Sequence, residues 1–172
     1  SHNPAVYNGI KIFTEGGRDA DETVTRDLER YIDGVDPGTV CSVDYEEALK
    51  SGAIREINPS NTYIDSILSV VDVESIKKSN LKIALDPMYG VSKTSLQTIF
   101  LTARCDVEVI HDRHDTLFGG RLPSPSVHTL NALRIFVSEN GCDIGIATDG
   151  DADRIGVIDN NANFLHPNQI LV

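Results

Sequence analysis

The run Asp149-Gly150-Asp151-Ala152-Asp153-Arg154 places carboxylates at i, i+2 and i+4 directly behind a short apolar stretch, DIGIAT. Carboxylates gathered at the end of a strand repel one another, and a divalent cation relieves that repulsion. Three protein oxygens leave part of an octahedral shell open, and Mg²⁺ commonly fills such room with water or phosphate oxygens. Asp149, Asp151 and Asp153 are therefore candidate Mg²⁺ ligands on a turn that Gly150 lets close tightly. Arg154 can pair with the neighbouring aspartates. A solvated acidic turn is the plainer reading of the same residues. A calcium hand fits poorly, because its loop needs Gly where Arg154 stands and Glu where Asn160 stands.

A second group opens the chain: Ser1-His2-Asn3-Pro4, then Asn8-Gly9 and Lys11. A serine among His, Asn and Gly in a turn can be a nucleophile with polar helpers, although an N-terminal Ser-His also occurs as a cloning remnant. Lys11 reads either as a participant or as a solvated lysine at a strand end. His111 and His114, in HDRHD, have a metal-like look, but their i, i+3 spacing in a strand-to-loop turn reads as surface polarity. His128 and His166 carry no signal of their own.

Composition limits what these residues can serve. The 172 residues are 40% hydrophobic and 24% charged, an ordinary soluble balance that excludes disorder, collagen and coiled coil. Fifteen Lys and Arg against 26 Asp and Glu give a formal charge of −11, which repels a nucleic-acid backbone. A phosphate-handling site in such a chain needs a metal or a local basic cluster. No apolar run approaches the roughly 18 residues of a membrane span, and no leader opens the chain, so the expectation is a cytoplasmic protein without a membrane partner. Cys41, Cys105 and Cys142 are an odd set without CxxC spacing and read as reduced, semi-buried fillers.

The elements that must position the acidic turn are legible from periodicity. LKIALD, CDVEVI, DIGIAT and IGVID read as strands; Leu96, Ile99, Phe100 and Ala103 mark one helix, and Leu130, Leu133, Phe136 and Val137 another, with Ser126 as its N-cap and Gly141 as its stop. Strand-helix alternation at this spacing predicts an α/β fold: a mixed, mostly parallel sheet with flanking helices, plus partial neighbouring domains. Before it, Val24, Leu28, Tyr31 and Ile32 share a helical face, Asp44 opens a short helix that Gly52 closes, and Ser60 to Val71 forms another helix. IKIF is the one strand candidate there, so this part is expected to lack a sheet of its own. At the far end NFL reads as extended and PNQILV as the start of a helix.

Taken together, SHNP-x-x-x-N-G-x-K and DGDADR resemble the phosphoserine and metal-binding loops of the α-D-phosphohexomutases, the superfamily of phosphoglucomutase, phosphomannomutase and phosphoglucosamine mutase. FGGRLPSPS, between them, looks like that family's FPG…P-x-P segment. The likeness covers essentially the whole chain. It implies a four-domain parent: residues 1–52 as the end of domain one with the serine loop, 53–159 as domain two with the metal loop, and 160–172 as the start of domain three. The family's sugar-reading loop and phosphate-gripping loop have no counterpart here, which marks the chain as a fragment.

The resemblance also implies the chemistry. A phosphoryl group moves between C1 and C6 of a hexose phosphate through a 1,6-bisphosphate; Ser1 is the phosphoryl carrier and a ligand of Mg²⁺ together with Asp149, Asp151 and Asp153. Lys11 matches the acid–base lysine, His2 and Asn3 position the serine loop, and Arg154 meets phosphate. The partner is a sugar phosphate such as glucose or mannose phosphate. Two alternatives remain. One is an aspartyl-nucleophile phosphatase, which wants Thr or Ser where Asp153 stands. The other is an isolated, catalytically inactive metal-binding α/β domain, whose cut edges favour self-association.

Overall fold

The computed structural model describes residues 2–170, and within them the chain divides into two compact units, residues 8–58 and residues 2–7 with 59–170.

The smaller unit is built from local signals. Strands β1 (Phe13–Thr14) and β2 (Arg18–Asp19) form a two-stranded antiparallel ribbon, so this segment does carry a small sheet, contrary to expectation. The IKIF stretch contributes only its last residue, because the ladder is set by the tight Gly16-Gly17 turn rather than by the apolar run. Helix α1 (Glu22–Asp33) begins where the Asp21 carboxylate accepts the Val24 N–H at 2.9 Å. Its anticipated apolar face is only partly covered: Val24 and Leu28 are half-buried, whereas Tyr31 and Ile32 are exposed. Helix α2 (Tyr45–Ser51) is capped by Asp44 and stopped by Gly52, as the sequence predicts.

The larger unit is a three-layer α/β/α arrangement. Helices α3 (Ser60–Val70) and α4 (Val73–Ser79) lead into β3 (Lys82–Asp86), followed by α5 (Ser92–Thr102), β4 (Asp106–Val109), α6 (Asn131–Asn140), β5 (Ile144–Thr148), β6 (Ile155–Asp159), β7 (Phe164–Leu165) and α7 (Pro167–Ile170). Sequence periodicity passes over α4, whose signals were the Asp72 cap on Ser75 and the left-handed Asn80 behind it. The five strands lie in the order β4-β3-β5-β6-β7. The pairs β4-β3 and β3-β5 are parallel, while β5-β6 and β6-β7 are antiparallel. The sheet is therefore mixed, and the extended NFL stretch joins it as an edge strand.

Alternation along the strands divides the core between the two faces. On one face Ala84, Ala147 and Ile158 pack under Leu130, Leu133 and Val137 of the α6 region. On the other, Ile83, Ile144 and Ile146 pack with Phe100 and Ala103 at the end of α5 and with Val73 and Ile76 of α4. Cys105 and Cys142 are buried in these layers, their thiols pushed up by burial, whereas Cys41 is exposed; all three are free. The sequence places the α6 N-cap at Ser126, but the helix begins after Leu130 without a side-chain cap. Ser126 instead closes its own turn, donating its N–H to Thr129 Oγ1 at 2.9 Å and accepting the Thr129 N–H at 3.4 Å.

Candidate metal centre

The β3-to-β4 and β4-to-β5 connections run through α5 and α6 on opposite faces of the sheet. The carboxyl ends of β3 and β5 therefore flank the point where open α/β sheets place ligands. The acidic turn leaves β5 there. Asp149 is fully buried and ties the two ends of the turn together: its N–H donates to the Arg154 carbonyl at 3.3 Å, its carbonyl accepts the Ala152 N–H at 3.1 Å, and its Oδ1 accepts the Arg154 N–H at 3.0 Å. The left-handed step that closes the loop falls at Ala152 (φ +65°), not at Gly150.

Asp151 and Asp153 are exposed, and one oxygen from each of the three carboxylates lies within 4.8 Å of the others. Oxygens around one Mg²⁺ at about 2.1 Å stand about 3 to 4.2 Å apart, so the set lies close to the spacing of a single cation's ligands. Burial pushes the Asp149 carboxyl above its ordinary range; the Arg154 N–H opposes this and Asp151 reinforces it. A buried carboxylate facing two others is the charge arrangement a divalent cation neutralises.

The remaining expected residues divide between the two units. Arg154 lines an open cleft of about 610 Å³ together with Asp153, Ser124, Ser126, His128 and His166. His128 and His166, silent in the sequence, thus reach the same cleft as the acidic turn, which also receives the SPS of FGGRLPSPS. His2 is half-buried and Asn3 exposed, both in the larger unit; Lys11 is exposed in the smaller one, just before β1. Ser1 lies outside the described residues. His111 departs from its expected role as surface polarity: its Nδ1 is 3.0 Å from Oδ2 of the buried Asp86. No spacing rule links these residues, which are brought together only by the pairing of β3 with β4.

Residues 61–162 match the model of phosphoglucomutase/phosphomannomutase alpha/beta/alpha domain II, and residues 1–38 that of alpha/beta/alpha domain I. This chain belongs to the phosphoglucomutase/phosphomannomutase family. It is 35% identical over 159 residues to a phosphoglucosamine/phosphogalactosamine mutase of Sulfurisphaera tokodaii, an alignment covering 92% of this chain and 34% of that protein. It is 32% identical to a phosphoglucosamine mutase of Streptococcus agalactiae, over 99% of this chain and 36% of that protein. The fold is also that of a putative phosphomannomutase from Thermus thermophilus, with a TM-score of 0.62 at 24% identity over 67% of this chain and 27% of that one. The chain thus spans about a third of the length of the curated relatives it matches. Among the described residues no helix is long and apolar enough to cross a membrane.

Proposed function

We propose that the full-length protein is a Mg²⁺-dependent phosphohexomutase that interconverts hexose or hexosamine 1- and 6-phosphates through a phosphoserine and a 1,6-bisphosphate. The observation that carries this reading is the convergence of Asp149, Asp151 and Asp153 within 4.8 Å at the carboxyl end of β5, in a chain of the phosphoglucomutase/phosphomannomutase family. In this reading residues 1–52 close domain one, 53–159 form domain two and 160–172 open domain three. The location is cytoplasmic. The partner is a sugar phosphate.

The three aspartates would hold Mg²⁺, with Ser1 completing the protein's share of its ligands. A bound Mg²⁺ supplies compensation for charge on the transferring phosphoryl group. Ser1 carries that group as its ester; Lys11 takes the proton from the sugar hydroxyl as that oxygen attacks the phosphoryl group, and returns a proton to the sugar oxygen when the group passes back to Ser1. His2 and Asn3 hold the serine loop. Arg154, on the cleft wall beside Asp153, offers a guanidinium fork to phosphate oxygens.

The test is Ser1→Ala in the full-length protein, assayed on glucose, mannose and glucosamine 1-phosphates primed with the matching bisphosphate. Turnover is expected to fall to background with the fold retained; near-normal turnover ends the phosphoserine mechanism. Titration of Mg²⁺ into the 172-residue chain tests the metal site separately.

A further inference from the structure

We infer that the buried Asp86–His111 pair is a positioning device for the acidic turn, acting through the loop of residues 86–91; the inference rests on the metal site proposed above. Asp86 ends β3 almost fully buried, and both its oxygens are used. Oδ1 accepts the Met88 N–H at 2.8 Å, and Oδ2 faces His111 Nδ1 at 3.0 Å. A carboxylate only accepts, so this contact sets the imidazole with its proton on Nδ1.

The loop that Asp86 anchors is a strained one. Met88 (φ +49°) and Tyr89 (φ +63°) are consecutive residues in the left-handed region, as is His111 itself (φ +50°). Such a run persists only where its surroundings over-determine it. Here they do: the Tyr89 N–H donates to the His111 carbonyl at 3.0 Å, and the two rings lie 5.1 Å apart. The Arg113 guanidinium sits 5.6 Å over the Tyr89 ring, and Lys93 pairs with Asp112 at 2.8 Å. Gly119, from the FGG segment, closes against the same ring, where a Cβ would come within 2.6 Å of Tyr89 Cε2.

The far end of the loop holds the metal turn. A Cβ on Gly90 would lie 2.8 Å from Gly150 Cα, so the two backbones are in direct contact. The Val91 N–H donates to the Gly150 carbonyl at 3.1 Å, and the Ser92 and Thr148 hydroxyls meet at 2.7 Å in the interior. Gly150 lies between Asp149 and Asp151. The contacts from His111 to the metal turn are therefore continuous, and loosening the Asp86–His111 link frees the backbone that spaces the carboxylates.

The experiment compares His111→Asn with His111→Gln in the full chain. An Asn amide reaches the place of Nδ1 and suits a positive φ, whereas a Gln amide reaches the place of Nε2 and misses Asp86. Val137→Ala, under α6 and away from the loop, controls for general loss of stability. Metal-free amide exchange at Val91, Ala152 and Arg154 is expected to quicken about tenfold in His111→Gln beyond any change in global unfolding, and to stay near wild type in His111→Asn and Val137→Ala. Mg²⁺ affinity is expected to fall about tenfold in His111→Gln alone. Unchanged local exchange in His111→Gln overturns the inference, as does an equal effect of Asn and Gln. Should His111→Gln not fold, His111→Phe keeps the ring against Tyr89 but removes Nδ1 from Asp86, and is read by the same exchange criterion. A wild-type chain that binds no Mg²⁺ overturns the metal reading instead, and the exchange comparison still decides the positioning role.

Discussion

Gly90 lies against Gly150 so closely that a Cβ at position 90 would stand 2.5 Å from the Gly150 carbonyl oxygen. The atom it would meet is backbone, which has no rotamer by which to yield, and that backbone carries the Asp149 and Asp151 side chains on either side. The loop behind β3 and the acidic turn behind β5 are therefore fitted to each other with no room for a side chain at position 90.

Gly90→Ala is accordingly expected to cost about 1–3 kcal/mol of stability, the range for overpacking in a close-packed site. It should also weaken Mg²⁺ binding, since relief requires the acidic turn to move. Chemical denaturation and calorimetric titration check the two effects. A variant with wild-type values for both would show that the contact yields freely.

The aspartates differ in burial, and their neutral variants should differ with it. Asp149→Asn alters a proposed Mg²⁺ ligand and also changes the buried acceptor that holds the Arg154 N–H. It should lower both Mg²⁺ affinity and thermal stability. Asp151→Asn, at an exposed position, should lower Mg²⁺ affinity while leaving metal-free stability within about 0.5 kcal/mol of wild type. Equal stability losses in the two variants would contradict the assignment of Asp149 as organiser of the turn.

Acid should unfold the chain in part by protonating caps and turn carboxylates. The Asn163 side chain and backbone N–H, with the Asn161 N–H, hold the Asp159 carboxyl below its usual range, and the Ser75 hydroxyl and N–H do the same for Asp72. A depressed native pKa contributes stability above the unfolded value of about 3.9 and loses it as pH falls through the native value. The loss should therefore begin near about pH 4 and deepen below it. Asp159→Asn should melt lower than wild type at pH 7, with the difference shrinking by pH 3. A difference independent of pH would mean that the turn does not depend on the ionised carboxylate.

The 172-residue chain by itself is expected to show no mutase turnover. A bisphosphate intermediate must be held at both ends, and oriented binding contributes on the order of 7–11 kcal/mol to such reactions. The chain spans about a third of the length of its curated relatives, and the rest of that grip is expected to lie in the remainder of the full-length protein. A coupled assay with glucose, mannose and glucosamine 1-phosphates decides it; turnover at the level of the full-length protein would refute the expectation.

The sequence alone determined the elements and the acidic character of the turn. Apolar runs of strand length placed β3, β4, β5 and β6, helical spacing placed α1, α3, α5 and α6, and DGDADR set three carboxylates at i, i+2 and i+4, because these signals are local and read residue by residue. Short-range signals were less secure where a tertiary contact competes: Ser126 looked like a helix cap yet closes a separate turn, and α4 shows in its Asp72 cap and left-handed Asn80 rather than in an apolar periodicity. The direction of β6 and the joining of β7 to the sheet rest on pairing partners that no single strand specifies. Above all, only the tertiary structure brought Asp86 to His111 and Gly90 to Gly150. Those contacts join residues 25 and 60 positions apart, and the parallel register of β3 with β4 and β5 is what turns such separations into neighbours.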